Sequence, residues 1–260
     1  MQIASEKLPG KPLAKVAWIT GGGSGIGRSL AFALRDAGWE VVISGRNEER
    51  LHNTLRTAGS RHLHTYPIDV TDQQAISKAA DWLNERFGGV DLAVLNAGDY
   101  SPMRLNEFDL ALFHKLISVN YLGVVNCLAA LLPGMRRRGG GEILITASLS
   151  GYCGLPGAAP YGASKAALIN MAESLQPELM REGICLRLIN PGFVESELTR
   201  KNDFKMPFLM TPDQAALEIM KRLSGSGFEI AFPKGFTLIM KFVRCLPYRL
   251  YFLLMQRLLK

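Results

Sequence analysis

Short apolar runs alternate with longer amphipathic stretches along most of the chain. Val16 to Thr20, Val41 to Ser44, Leu92 to Leu95, Glu142 to Thr146, Ile184 to Asn190 and Phe228 to Phe232 are brief and aliphatic, and predict strands, with His62 to Tyr66 as a further one. Between them, Ile26 to Ala37, Glu48 to Ala58, Ala75 to Phe87, Phe108 to Met135, Tyr161 to Arg181 and Pro212 to Leu223 carry helical spacing or strong helix formers. Strand and helix in repeated alternation predict an α/β fold with a parallel sheet covered on both faces, because each parallel crossover needs a connecting element of this length. No repeat, low-complexity tract or linker divides residues 14 to 233.

The pattern changes at Lys234. The tail from Gly235 to Lys260 predicts two amphipathic helices separated at Pro247. On a helical wheel the first sets Thr237, Lys241 and Arg244 against Phe236, Ile239, Met240, Val243 and Leu246. The second sets Arg249, Gln256, Arg257 and Lys260 against Tyr248, Tyr251, Phe252, Leu254, Leu258 and Leu259. Such helices either dock on their own protein or a second subunit, or lie peripherally on an anionic membrane surface.

Charge sharpens this division. The net charge is +7, but residues 234 to 260 hold six basic residues and no acid, leaving 24 Lys and Arg to balance 23 Asp and Glu in residues 1 to 233. A near-neutral body with a basic tail argues against a nucleic-acid partner. Arg136, Arg137 and Arg138 precede Gly139 and read as cations at a helix C-terminus. The first twenty residues lack a signal-peptide pattern, and no uncharged apolar run of about eighteen residues is expected to span a membrane. Cys127, Cys153, Cys185 and Cys245 form no Cys-x-x-Cys pair, which fits a reducing cytoplasm. His62 and His64 alternate on a strand without an obvious third ligand, so no metal site is expected.

The first strand runs straight into Thr20-Gly21-Gly22-Gly23-Ser24-Gly25-Ile26-Gly27 and then a helix. Glycines at such a turn let the backbone approach a pyrophosphate while the helix N-terminus supplies N–H groups and a positive dipole. The second strand ends Ile43-Ser44-Gly45-Arg46-Asn47 with no acid for ribose hydroxyls. A 2′-phosphate there would meet the Arg46 guanidinium, with Ser44 and Asn47 as neutral donors, which points to NADP(H) over NAD(H). The competing reading pairs Arg46 with Glu48 or Glu49 on the surface.

Gly21, Gly25 and Gly27 have the Thr-Gly-x-x-x-Gly-x-Gly spacing of the classical short-chain dehydrogenase/reductase family, and residues 14 to 233 resemble that family throughout. Asp69-Val70, Asn96-Ala97-Gly98 and Pro191-Gly192 follow the third, fourth and sixth strands, in the family's order. The resemblance implies a Rossmann-type doubly wound parallel sheet of about seven strands, as one domain over residues 1–233 with an extension over 234–260. It also implies a cofactor cleft lined by Gly21, Gly23, Ser24, Gly25, Ile26, Gly27, Asp69, Val70, Asn96, Ala97, Gly98, Tyr161, Lys165, Pro191, Gly192, Val194 and Ser196. Two positions depart from the pattern: Leu95 replaces an Asn, and Ser196 replaces the Thr that holds the carboxamide.

Ser148, Tyr161 and Lys165 match the family's catalytic spacing, with Asn120 on the preceding long helix. Tyr161 and Lys165, four apart, share a helix face. A neighbouring ammonium and an oxidised nicotinamide are expected to favour the Tyr161 phenolate, making it the acid or base for a carbonyl or alcohol. Ser148 would bind the substrate oxygen, with Ser150 as its minor rival, and Lys165 would hold the nicotinamide ribose. By resemblance, the Asn120 side chain or backbone holds a water beside Lys165. The implied activity is hydride transfer between NADP(H) and a hydrophobic carbonyl or alcohol compound, by a homodimer or homotetramer. The alternative is a noncatalytic NADP(H)-binding regulatory or membrane-associated protein on the same fold. Leu198, Phe204, Met206, Phe208, Leu209 and Met210 form the expected substrate lid, which either covers an apolar substrate or packs on the enzyme itself. Cys153 lies in the Gly151 to Pro160 loop as a pocket-wall or surface thiol.

Overall fold

The computed structural model describes residues 14–59 and 61–257. Its centre is a parallel sheet of seven strands: β1 (Val16–Thr20), β2 (Glu40–Ser44), β3 (Leu63–Thr65), β4 (Leu92–Leu95), β5 (Gly141–Thr146), β6 (Ile184–Pro191) and β7 (Glu229–Phe232). Their order across the sheet is β3-β2-β1-β4-β5-β6-β7. The chain therefore reverses its direction of travel between β1 and β4, leaving a crevice beyond their C-terminal ends where ligands bind in such sheets.

All strands except the edge strand β3 are largely buried on both faces, as a covered parallel sheet is. Within β1, Ala17 and Ile19 enter one core with Leu30, Leu34, Leu51 and Ile219, whereas Trp18 enters the opposite one with Ile76, Leu131 and Leu168. The first core is covered by α1 (Gly25–Asp36), α2 (Glu48–Ala58) and α7 (Pro212–Leu223); the second by α3 (Gln73–Phe87), α5 (Gly123–Arg138) and α6 (Ala159–Arg181). Helix starts are fixed by side-chain caps: Asn47 for α2, Asp72 for α3, and a reciprocal Thr211–Gln214 capping box for α7. Asp72 accepts from the backbone of Gln74 and Ala75, so α3 begins two residues before the apolar periodicity suggests.

The single helix expected from Phe108 to Met135 has an internal break. It comprises α4 (Leu110–Ile117), a π turn at Ser118–Leu122, and α5. The whole stretch from Leu110 to Arg138 is long and apolar enough to cross a membrane, which corrects the expectation that nothing in the chain is. It is laid against the sheet instead, burying Leu116, Val119, Val124, Cys127, Leu128, Leu131 and Met135. Arg136 to Arg138 form its last turn before left-handed Gly139, with Arg136 paired to Glu182.

The tail forms α8 (Lys234–Arg244) and α9 (Tyr248–Arg257); Leu258, Leu259 and Lys260 of the predicted second face lie outside the described residues. Its inward side differs from the wheel. Thr237, Met240 and Val243 of α8 are buried, with Tyr251 and Met255 of α9, whereas Ile239, Tyr248 and Phe252 are exposed. Thr237 tolerates burial because its hydroxyl donates to the Pro233 carbonyl at 3.0 Å.

Candidate active site

The glycine turn closes on the end of β4. Thr20 Oγ1 accepts from the backbone N–H of Asn96 at 3.0 Å and Ala97 at 3.1 Å, and Asn96 Nδ2 points back at the carbonyls of Thr20 and Gly21. Gly21 has φ +69°, a conformation glycine adopts without strain. A Cβ on Gly27 would lie 2.4 Å from the Gly21 carbonyl oxygen and 2.7 Å from Asn96 Nδ2. Ser24, at the start of α1, makes no side-chain cap, and the first turn holds no acid, so the helix's first N–H groups and positive dipole end suit an anion. These residues fit a dinucleotide pyrophosphate. Gly27→Ala should therefore displace the turn and lower nucleotide affinity by roughly tenfold or more, read by fluorescence titration. Wild-type affinity in that variant would show that the turn does not set the cleft.

Three of the proposed 2′-phosphate contacts part company. Arg46 stays at the crevice with a side chain 61% exposed, and its nearest acid is Asp69 at 3.9 Å, not Glu48 or Glu49. Ser44 is withdrawn: its fully buried hydroxyl accepts from Trp18 Nε1 at 2.9 Å. Asn47 spends its side-chain oxygen capping α2 through Arg50 N–H at 2.9 Å. Asp69 Oδ1 accepts from Thr71, and Val70 is buried against Gly123. Pattern reading missed a second cation, Arg50, whose Cβ comes within 3.2 Å of where a Gly23 side chain would start and whose guanidinium pairs with Glu197 at 2.8 Å.

Across the cleft, Pro191 ends β6 and the Gly192 N–H donates to Phe232. Val194 is buried and bridges to Met210, while Ser196 and Thr199 bond reciprocally, the Thr199 hydroxyl also reaching the Val194 carbonyl at 2.9 Å. Thr199 thus stiffens the segment where Ser196 departs from the family's threonine. At the other departure, Leu95 is buried among apolar neighbours in β4.

The catalytic candidates converge at the same edge. Ser148 follows β5 and hydrogen-bonds Tyr161, while also accepting from the Ser150 N–H at 3.1 Å, so Ser150 supports Ser148 through its backbone. Lys165 is buried one turn along α6, its Nζ 2.8 Å from the Thr146 carbonyl and 5.7 Å from the Tyr161 ring centroid. Burial drives Lys165 down to about 8 and Tyr161 up to about 12; the Ser148 bond opposes the latter shift and Tyr100 adds to it. In the protein without cofactor, burial thus outweighs the Ser148 bond at the Tyr161 hydroxyl.

Asn120 sits in the π turn, fully buried. Its Oδ1 accepts from the Asp99 N–H at 2.7 Å and its Nδ2 donates to the Asp99 carbonyl at 3.0 Å and Ser164 Oγ at 2.9 Å. Ala97 and Gly98 complete this wall; a Gly98 side chain would meet Asn120 Oδ1 at 3.2 Å and Lys165 Nζ at 3.6 Å.

The substrate side carries contacts between residues about a hundred positions apart. The Tyr100 ring meets Tyr161 edge-on at 4.9 Å, and its hydroxyl donates to Asn202 at 2.7 Å. Asp99 pairs with Lys201 at 3.4 Å and with Lys115 at 2.6 Å, and Arg104 pairs with Asp203. Phe204 and Phe208 pack on Phe193 and Phe236 while remaining half exposed, so the lid's aromatics are partly spent on the enzyme itself. Away from the site, His62 and His64 both engage Glu40 of β2, at 2.6 and 2.9 Å, and Cys153 packs beneath the tail.

The profile of the short chain dehydrogenase family matches residues 15–206. The chain belongs to that family. It is an NAD(P)-dependent oxidoreductase with the Rossmann-type sheet expected of one. An uncharacterized oxidoreductase of Myxococcus xanthus is 34% identical over 239 residues, 91% of this chain and 94% of its own. Among solved structures, a short-chain dehydrogenase from Streptomyces avermitilis aligns with a TM-score of 0.79 at 29% identity, covering 87% of this chain and 91% of its own. A gluconate 5-dehydrogenase from Burkholderia cenocepacia, solved with NADP and tartrate, aligns at 0.77 and 29% identity over 86% of this chain and 95% of its own.

Proposed function

We propose that this dehydrogenase acts as an NADPH-dependent reductase of a hydrophobic carbonyl compound, with Tyr161 as the proton donor. The observation that carries the reading is the Tyr161–Ser148 hydrogen bond at the sheet edge, beside a buried Lys165. When bound, the nicotinamide supplies the hydride. A carbonyl oxygen entering between the two hydroxyls receives a hydrogen bond from Ser148 and the proton of Tyr161. Burial raises the Tyr161 hydroxyl to about 12 in the protein without cofactor, so it carries a proton in the neutral range that a carbonyl oxygen can receive. Lys165, at about 8, remains largely an ammonium at pH 7 and can hold the ribose. Half-exposed Phe204, Phe208 and Leu209 on the lid support an apolar substrate. A screen of apolar ketones and aldehydes with NADPH and NADH tests the proposal; absence of nicotinamide-dependent turnover, with nucleotide still bound, would favour the regulatory alternative.

Arg46 supports the cofactor preference. As an exposed cation with Asp69 nearby, it should contribute less than a buried charge-assisted bond, about 1 to 1.5 kcal/mol. NADPH is expected to bind roughly tenfold more tightly than NADH, and Arg46→Ala to erase most of that difference by weakening NADPH alone. Titrations at low salt give the largest effect. Equal weakening of both nucleotides would take Arg46 away from the phosphate.

A further inference from the structure

We propose that α8 and α9 form a docking face for an anionic lipid bilayer. Among the described residues, these helices are fixed to the body by their inner side: Lys241 pairs with Glu229 at 2.5 Å, the Tyr251 hydroxyl donates to the Gly154 carbonyl, and Met240, Val243 and Met255 are buried. The outward side is apolar. Leu238 is 69% and Phe242 68% exposed, one turn apart on α8, and Leu250 is 54% and Leu253 58% exposed on α9.

Charge decides the occupant. Residues 234 to 257 contain no acid, and exposed Lys234, Arg244, Arg249 and Arg257 make no ion pair among the described residues. A second copy docking by the same face would set these cations against one another across a two-fold axis. Its body, near neutral, offers no compensating excess of acid. A bilayer with anionic headgroups accepts the apolar side chains and attracts the basic ones at once. The same helices touch Cys153, Gly154 and Leu155, in the loop that follows Ser148, so a docked enzyme holds its catalytic loop beside the membrane. Binding requires no turnover, so it stands or falls separately from the reductase reading.

Flotation of the full chain with phosphatidylcholine vesicles, with and without a minority of phosphatidylglycerol, tests this. Binding should require phosphatidylglycerol and weaken with salt. Arg249→Glu combined with Arg257→Glu should reduce partitioning by about tenfold or more, and Phe242→Ser with Leu253→Ser should do likewise. These side chains are exposed, so both variants should keep wild-type melting temperature and nucleotide binding. Failure to float with the anionic vesicles, or flotation indifferent to both variants, overturns the proposal. So does a change from oligomer to smaller species in the variants, which would make a second copy the occupant.

Discussion

Tyr161→Phe is expected to lower turnover by about a hundredfold to ten-thousandfold while leaving nucleotide affinity within a factor of about two to three. The change deletes one hydroxyl. It keeps the ring, and hence the edge-on contact with Tyr100 that positions this part of α6. What disappears is the proposed proton donor and its bond to Ser148. Lys165, the neighbouring titratable group, donates to the Thr146 carbonyl. Single-turnover measurement of the reduced nicotinamide isolates the chemical step. Wild-type single-turnover rates in the variant would remove Tyr161 from the reaction.

The cofactor turn and the catalytic spacing were legible because they depend on local geometry. Gly21, Gly25 and Gly27 meet backbone demands of one strand–turn–helix unit, and Tyr161 and Lys165 share a face through helix periodicity alone. What depended on distant partners was not legible. Ser44 looked available at the strand end until β1 placed Trp18 beside it, and Glu40 was invisible as the partner of His62 and His64 until β2 paired with β3. The Asp99–Lys201 and Tyr100–Asn202 links join segments about a hundred residues apart, with no sequence signal to connect them. The tail wheel failed differently. Periodicity predicts two amphipathic helices but not where the body lies, and Thr237 could turn inward because the Pro233 carbonyl met its hydroxyl. Tyr161 shows a further limit: a lysine four residues away implies an electrostatic neighbour, but burial is the largest influence on its hydroxyl in the protein without cofactor.

Lys165→Met is expected to make the protein without cofactor more stable at pH 7 while abolishing turnover. An ordinary lysine titrates at 10.5, and burial holds Lys165 at about 8, so folding at neutral pH forces a charge into a site that disfavours it. That gap corresponds to about 3 kcal/mol. Methionine fills similar volume without the charge, but leaves the Thr146 carbonyl without its donor, at a cost of about 1 to 3 kcal/mol. The net gain at pH 7 is therefore about 1 kcal/mol, a rise of roughly 2 to 4 °C in Tm for a domain of this size. The sharper signature is the pH dependence. Between pH 8 and 10.5 the unfolded chain still carries the lysine proton and the folded chain does not, so wild-type stability rises with pH relative to the variant. Below pH 8 both states are protonated and the penalty is complete; above 10.5 neither is and it vanishes. Tyr161, held at about 12, acts in the opposite sense only beyond pH 10, so urea unfolding from pH 7 to 10 isolates the lysine. The wild type should close the gap and then pass the variant, since only it keeps the Thr146 bond. A constant difference between the two proteins across that range would mean that Lys165 is not held as a disfavoured charge, and its poise for the ribose and for Tyr161 would need another origin.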